Sequence, residues 1–226
     1  DFHRDLDRLT QTVRDRVNAA HNLGTVGNAL QASITGKRVF TGSESIDPAQ
    51  VSGKMSLVTT DGTDETRYPI DLDTFSGSPD TVGELVNHIN SQVAGAPFDA
   101  TSGQLTINLP TDQNAVGLDV GDAQVGGALN RTATTPPSPT NFSHYFGLND
   151  LFVTNDDPAA PTDITGKANE IRVRSDIKSD PALLSNGRAS ETSGPTGVAE
   201  GDPSVAQAMA DAFESRATIP KSDGNL

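Results

Sequence analysis

The side chains richest in chemistry are four histidines, His3, His21, His88 and His144, and thirty acids, twenty-three of them aspartate. Imidazoles and carboxylates can ligate a metal or move a proton. Both tasks need short fixed spacings, such as two histidines four apart on a helix or alternating oxygen ligands in a loop closed by a glycine. The histidines are scattered without such spacing, and none lies near a serine in a Gly-x-Ser-x-Gly elbow. His21, near the end of a helical stretch, reads as a histidine meeting the helix dipole and its exposed carbonyls. Asp71 with Asp73, and Asp156 with Asp157, could hold calcium or act as paired acids, yet neither stretch has the full ligand loop. In a chain this rich in aspartate, adjacent carboxylates on solvated turns are expected. Gly166-Lys167 matches only the end of a phosphate loop, because residue 161 is proline where glycine is needed and 168 is alanine where Ser or Thr is needed. The absence of cysteine excludes disulfides, thiolate metal sites and a cysteine nucleophile. The reading is therefore of a non-enzyme with no catalytic, cofactor or metal site.

The concentrated feature is apolar. Phe142 to Phe152, FSHYFGLNDLF, holds four of the ten aromatic residues of the chain: Phe142, Tyr145, Phe146 and Phe152. Aromatics carry the largest apolar area per side chain, so where they are scarce their position marks where a core is pinned. Phe142, Tyr145, Phe146, Gly147, Leu148, Leu151 and Phe152 are the candidate structural anchor, with Gly147 permitting a backbone turn that Asn149 or Asp150 caps. Phe146, Leu148, Leu151 and Phe152 are expected to hold the returning chain against the first helix.

The elements around it follow from periodicity. Leu6, Leu9, Val13, Val17 and Ala20 recur at three- and four-residue spacing, which predicts a helix to about Asn22, stopped by Gly24. Residues 37–41 read as a strand, and 54–60 with 66–72 as a hairpin whose Pro69 requires an edge strand or a bulge. Thr81 to Glu84 fits a capping box for a helix with Val82, Leu85, Val86 and Ile89 on one face. Short strands follow at 98–100, 104–109 and 116–120, then a Gly-, Thr- and Pro-rich linker at 121–141. Asn155 to Asp163 is a polar loop, and Asp180-Pro181 starts a short helical turn. Asp202-Pro203 opens a last helix striped by Val205, Ala208, Met209, Ala212 and Phe213, expected to pack beside the first. The fold class is α+β: an elongated, discontinuous helical domain, 1–36 with 141–226, carrying an inserted acidic β-rich α+β domain at 37–140.

Charge supports the division. Residues 1–40 sum to +2, 41–160 to −13 and 161–226 to −3, giving the net −14. Such a surface opposes nucleic acid and anionic lipid, which need basic patches, so neither nucleic acid nor membrane is an expected partner. No run approaches the roughly 18 apolar residues of a membrane span.

Three phrases are similar to the family of hook-associated protein 1, which joins flagellar hook to filament. They are Val17 to Gly24 with its Asn-x-x-His-x-x-Gly spacing, Phe142 to Phe152 with Gly-Leu-Asn-Asp, and Ala168 to Pro181 with Ala-Asn-Glu-Ile-Arg-Val-Arg. The 37–140 block resembles modules inserted into flagellins and hook-associated proteins. The resemblance implies a secreted, extracellular structural protein of the bacterial flagellum, exported without a cleaved signal peptide and served by an export chaperone. It implies self-assembly of the full-length protein with hook and filament-side subunits, through terminal segments that this chain is expected to lack. The alternatives are a flagellin or hook-type subunit, and an extracellular adhesin or glycan-binding module. Lacking those segments and carrying a charge of −14, the chain is expected to sediment as a monomer even when concentrated. A stable ring or filament formed by these 226 residues alone would place the polymerising surface within them.

Overall fold

The computed structural model describes residues 2–26, 31–40, 42–76, 80–95, 97–109, 112–126, 140–154, 166–189 and 202–214. Residues 127–139 of the expected 121–141 linker, the polar loop at 155–163 and with it Asp156 and Asp157 lie outside them, while the two ends of the linker are strands. The chain opens with α1 (Phe2–His21), followed by β1 (Thr25–Val26) and β2 (Ser33–Thr35). A hairpin of β3 (Lys54–Thr60) and β4 (Glu65–Asp71) leads to α2 (Val82–Asn90). Short strands β5 (Phe98–Asp99), β6 (Thr106–Asn108), β7 (Asn114–Asp119) and β8 (Gln124–Val125) come next, then β9 (Thr140–Asn141) and α3 (Phe142–Phe146). The chain continues through β10 (Phe152–Val153), β11 (Arg172–Val173), α4 (Ser175–Ser179), β12 (Ser185–Gly187) and α5 (Ser204–Glu214). Helices and sheets together make this an α+β fold.

The hairpin supplies two strands of one sheet, ordered β4-β3-β7 with β3 at its centre and antiparallel throughout. Pro69, which has no amide proton, sits on the edge strand β4 as its chemistry requires. A second sheet, β2-β6-β5, stands beside it. The α2 helix starts at Thr81, whose hydroxyl accepts from the Glu84 amide at 3.3 Å. Its face of Val82, Leu85, Val86 and Ile89 is fully buried among Leu57, Ile70, Leu105 and Ile107. Each such aliphatic side chain contributes about 1.5–3 kcal/mol by leaving water.

Residues 37–40, expected as a strand, join no ladder. Their amides are taken up individually: Lys37 donates to the Gly147 carbonyl, Arg38 to that of Phe146 and Phe40 to that of Gly103. The segment is an extended strap between two parts of the chain, and alternation alone could not distinguish it from a strand.

The aromatic run forms α3, capped at its start by the Asn141 side chain, which accepts from the His144 amide at 2.8 Å. Gly147 ends it at φ 64°, and a Cβ there would lie 2.6 Å from the Arg38 side chain, so glycine is required on two counts. Asn149 and Asp150, expected to cap the Gly147 turn, instead direct their side chains to His21, Asn22 and Arg38. Phe142, Tyr145, Phe146 and Leu148 enter the same core cluster as α2 and the hairpin, with the Phe146 ring 5.5 Å from that of Phe40. Their side chains therefore grip the β layers and not α1, which corrects the expected partner. The half-buried Leu151 and Phe152 lead into β10, which does lie against α1.

The first and last helices pack together. Gly24, just past the end of α1, is so close to Val205 at the start of α5 that a Cβ would meet it at 2.6 Å, so the pair runs antiparallel. Val205 is buried and Ala208, Met209 and Ala212 are half-buried, while Phe213 is 61% exposed. Because Phe146 sits in a core shared with the β layers, Phe146→Ala should destabilise the β layers themselves, by about 3–5 kcal/mol. Urea unfolding should show the loss in the same transition as the sheet signal, with a smaller loss for Phe152→Ala. A variant whose sheet melts like the parent's would separate the two.

Candidate functional site

Asn18, His21 and Asn22 fall at i, i+3 and i+4, so they share one face of the last turns of α1. All three are buried. That face meets residues 147–152, irregular backbone whose amides and carbonyls find few ladder partners and must be bonded by side chains. Asn18 serves two residues: its oxygen accepts from the amides of Leu151 at 3.0 Å and Phe152 at 2.8 Å, and its nitrogen donates to the Phe152 carbonyl at 2.8 Å. Asn22 donates to the Asn18 carbonyl and to Asp150 Oδ1, both at 2.8 Å. It accepts from the Ser143 hydroxyl at 2.7 Å and the Asn149 amide at 2.9 Å.

His21 has no exposed surface. Its Nδ1 lies 2.6 Å from the Asn149 carbonyl, and its Nε2 accepts from the Ser185 amide at 3.0 Å. The second contact requires a bare Nε2, so the ring is neutral with its proton on Nδ1. Burial, followed by the Arg174 charge, pushes its pKa below the ordinary 6.5 against the opposing pull of the Asn149 carbonyl and Asp150. The histidine does not meet exposed helix-end carbonyls as expected; it ties α1 to two remote segments. The side-chain nitrogen of Asn149 covers those carbonyls instead, reaching His21 O at 3.1 Å, Gly24 O at 3.2 Å and the Ser185 hydroxyl.

Below this layer lies a buried ion cluster. Arg38 Nε stands 3.1 Å from Asp150 Oδ2, and His144 Nδ1 lies 3.7 Å from Asp150 Oδ1. Burial alone would raise the Asp150 pKa, but Arg38, His144 and the Asn22 amide outweigh it and hold the carboxylate far below its ordinary 3.8. Arg174 closes the site by donating to the Leu148 carbonyl at 3.2 Å and to Asp176 at 2.7 Å. A histidine beside a carboxylate can begin a catalytic relay. Here Arg38 shares that carboxylate and sits 3.4 Å from the same histidine nitrogen, and the nearby Ser143 hydroxyl is committed to Asn22. Among the described residues no hydroxyl bonds to His144, and no group of three His, Cys, Asp or Glu could hold a metal. The adjoining cavity, lined by Thr25, Ile34, Leu118, Asn149 and Arg174 among others, encloses about 30 Å³, room for one water and no substrate. What the arrangement does is mechanical: it fixes α1, the 142–152 segment, Arg174 and β12 in one geometry.

Of the anchor residues, Phe142, Tyr145, Phe146, Gly147 and Leu148 surround this junction from the core side, while Leu151 and Phe152 touch it through their backbones. The other acids are placed apart from it. Asp71 pairs with Lys54 at 2.9 Å and Asp73 accepts from the Gly53 amide at 2.7 Å, so each is already engaged. Gly166-Lys167 does form an anion-binding turn, but its anion is the protein's own Asp7, buried on α1, which accepts from the amides of Gly166 and Ala168 at 2.8 Å each. Asn18, Asn22, Arg38, Asp150 and Ser185 were not singled out as a network from sequence. The available signal was two asparagines, poor helix formers, on one face of a helix end with a histidine.

No family model matches this chain, and no curated protein matches it.

The junction makes a pH prediction. Because the folded His21 value is lowered, the unfolded chain binds the proton more readily, so stability is full above 6.5 and declines as pH falls through 6.5 toward the lower folded value. Unfolding free energies from urea titrations between neutral and mildly acid pH should drop with a limiting slope of about 1.4 kcal/mol per pH unit, and His21→Gln should flatten that slope while lowering stability overall. Asp150→Ala, which strands buried Arg38, should cost about 3–5 kcal/mol at neutral pH.

Proposed function

We propose that this chain is a structural component of the bacterial flagellum, a secreted extracellular subunit that joins hook to filament and so serves motility. The observation that carries the reading is spatial. The three phrases that resemble the hook-associated family, at 17–24, 142–152 and 168–181, interlock at one buried junction. Asn18, His21 and Asn22 of the first bond to residues 149–152 and Ser143 of the second. Arg174 of the third donates its backbone amide to the Leu151 carbonyl and its side chain to that of Leu148. Segments so far apart along the chain make one mechanical unit only through such contacts. A junction subunit must hold neighbours at fixed angles under torque, and a buried network of directional hydrogen bonds favours one arrangement over nearby alternatives.

In this reading the helical parts, 1–36 and 141–226, form an elongated discontinuous domain that carries 37–140 as an acidic insert packed on the 142–148 segment. The full-length protein self-assembles with hook and filament-side subunits and is escorted by an export chaperone; it uses no cofactor. A flagellin or hook-type subunit is the nearest structural alternative. One observation favours an adhesin or glycan-binding module: an open groove of about 440 Å³ on the β layers, lined by Lys54, Ser56, Asp71, Gln92 and Asp119 among others, presents polar groups that suit sugar hydroxyls.

Immunogold labelling of the parent bacterium, with deletion of the gene, tests the proposal. The expected result is label at the hook–filament boundary, and hooks without filaments after deletion, restored by the parent gene but poorly by an Asn22→Ala, Asp150→Ala double variant. Label along the filament would favour a flagellin. Specific glycan binding by the chain with normal motility after deletion would favour the module.

A further inference from the structure

Strands β1 and β12 pair out of step. Thr25 faces Gly187 and Val26 faces Ser185, so Asn186 has no residue opposite it and forms a bulge. Its neighbours are held tightly: Ser185 is buried with its amide on His21 and its hydroxyl on Asn149, and Gly187 is buried beside Gly24. Asn186 alone of the three is exposed. It is also followed by glycine, and no other Asn-Gly pair occurs in the sequence.

The geometry points to Asn186 as a site of spontaneous backbone modification. The Gly187 amide nitrogen attacks the side-chain carbonyl carbon of Asn186, a new C–N bond closes a five-membered succinimide, and ammonia leaves. Water then adds to either ring carbonyl and opens it, giving aspartate or isoaspartate; water is the only co-reactant and nothing is oxidised or reduced. Glycine matters because no side chain shields its amide and its backbone admits the conformations that ring closure needs. The bulge matters because the extra residue is released from the ladder that would hold Asn186 extended. The contrast lies within the same chain. Asn90 is also followed by a small residue, Ser91, but it lies in α2 with its side chain bonded to Phe98 O at 2.7 Å and to Phe98 N at 3.0 Å.

The product would act at the junction. Isoaspartate reroutes the chain through the former side chain and adds a methylene to the backbone one residue from Ser185, while either product adds a negative charge. The Ser185 contacts to His21 and Asn149 would then lose their alignment, and with them the seat of α5, where Val205 meets Gly24.

Ageing the folded chain in mildly alkaline buffer, followed by tryptic mapping, tests this directly. The peptide between Lys178 and Arg188 should gain about one dalton and split into aspartate and isoaspartate forms resolved by electron-transfer fragmentation. Conversion should run at least about tenfold faster than at Asn90, whose helix must open first. Asn186→Gln, an exposed and conservative change, should abolish it and keep hydrogen-exchange protection at the Ser185 amide, which the aged parent should lose. A native peptide that stays unmodified while the urea-unfolded chain converts would overturn the site. Conversion with Ser185 protection intact would overturn the structural consequence.

Discussion

The side-chain amide of Asn22, wholly removed from water, is the constraint on which the junction depends. Its four hydrogen bonds go to the helix's own Asn18 carbonyl, to Asp150, to Ser143 and to the Asn149 backbone. A buried amide gains only modest net stability from each bond, but leaving one unmade costs about 1–3 kcal/mol. The group is therefore weak as a source of stability and strong as a source of specificity. Any arrangement that moves the 142–152 segment relative to α1 strands several partners at once, so sliding or hinging at this point is discouraged far more than the net energies suggest.

The same segment divides its labour by chemistry. Its aromatic side chains, from α3, fill the core between the sheets and α2, while its backbone and amide groups turn to α1. Apolar packing fixes position but tolerates small slips, whereas directional hydrogen bonds forbid them. Placing both on eleven consecutive residues lets one short stretch transmit the orientation of the helical pair to the β layers. Arg38 completes the link from the other side, since the strap that carries it is bonded by backbone to Phe146 and Gly147 and by charge to Asp150.

Sequence reading succeeded where a feature is periodic or local. The buried face of α2 followed from apolar spacing and its threonine cap, the hairpin from alternation around a turn, and the edge position of β4 from Pro69. It failed where the deciding partner is distant in the chain. The apolar character of the aromatic run was evident, but nothing local says that Phe146 meets Phe40 rather than α1. Residues 37–40 have a strand's alternation without a ladder because single carbonyls of 103, 146 and 147 claim their amides. His21 reads locally as a helix-end histidine, whereas its bonds reach Asn149 and Ser185, and Asp7 of the same helix is bonded by the distant amides of Gly166 and Ala168. Side chain to backbone bonds between remote segments leave no period to detect, and in this chain they build the site.

The excess of aspartate has a related origin. Asp61 accepts from the amides of Asp64 and Thr63, Asp99 from Thr101, and Asp202 from Arg188 and Ser204, each closing a turn or loop. Those amide bonds depress the carboxyl pKa in every case, while Asp71 is held down first by Lys54 and then by the Asp73 amide. A shorter side chain than glutamate's is needed for an oxygen to reach an amide two residues on. The acidic surface is thus largely a by-product of how the turns are tied. A cation binding there would have to compete with backbone amides for oxygens that the fold already uses. Those carboxylates keep their charge into acid, beyond the point at which His21 begins to favour the unfolded chain. Mild acid should therefore strain the histidine-tied junction before it neutralises the turns around the sheets.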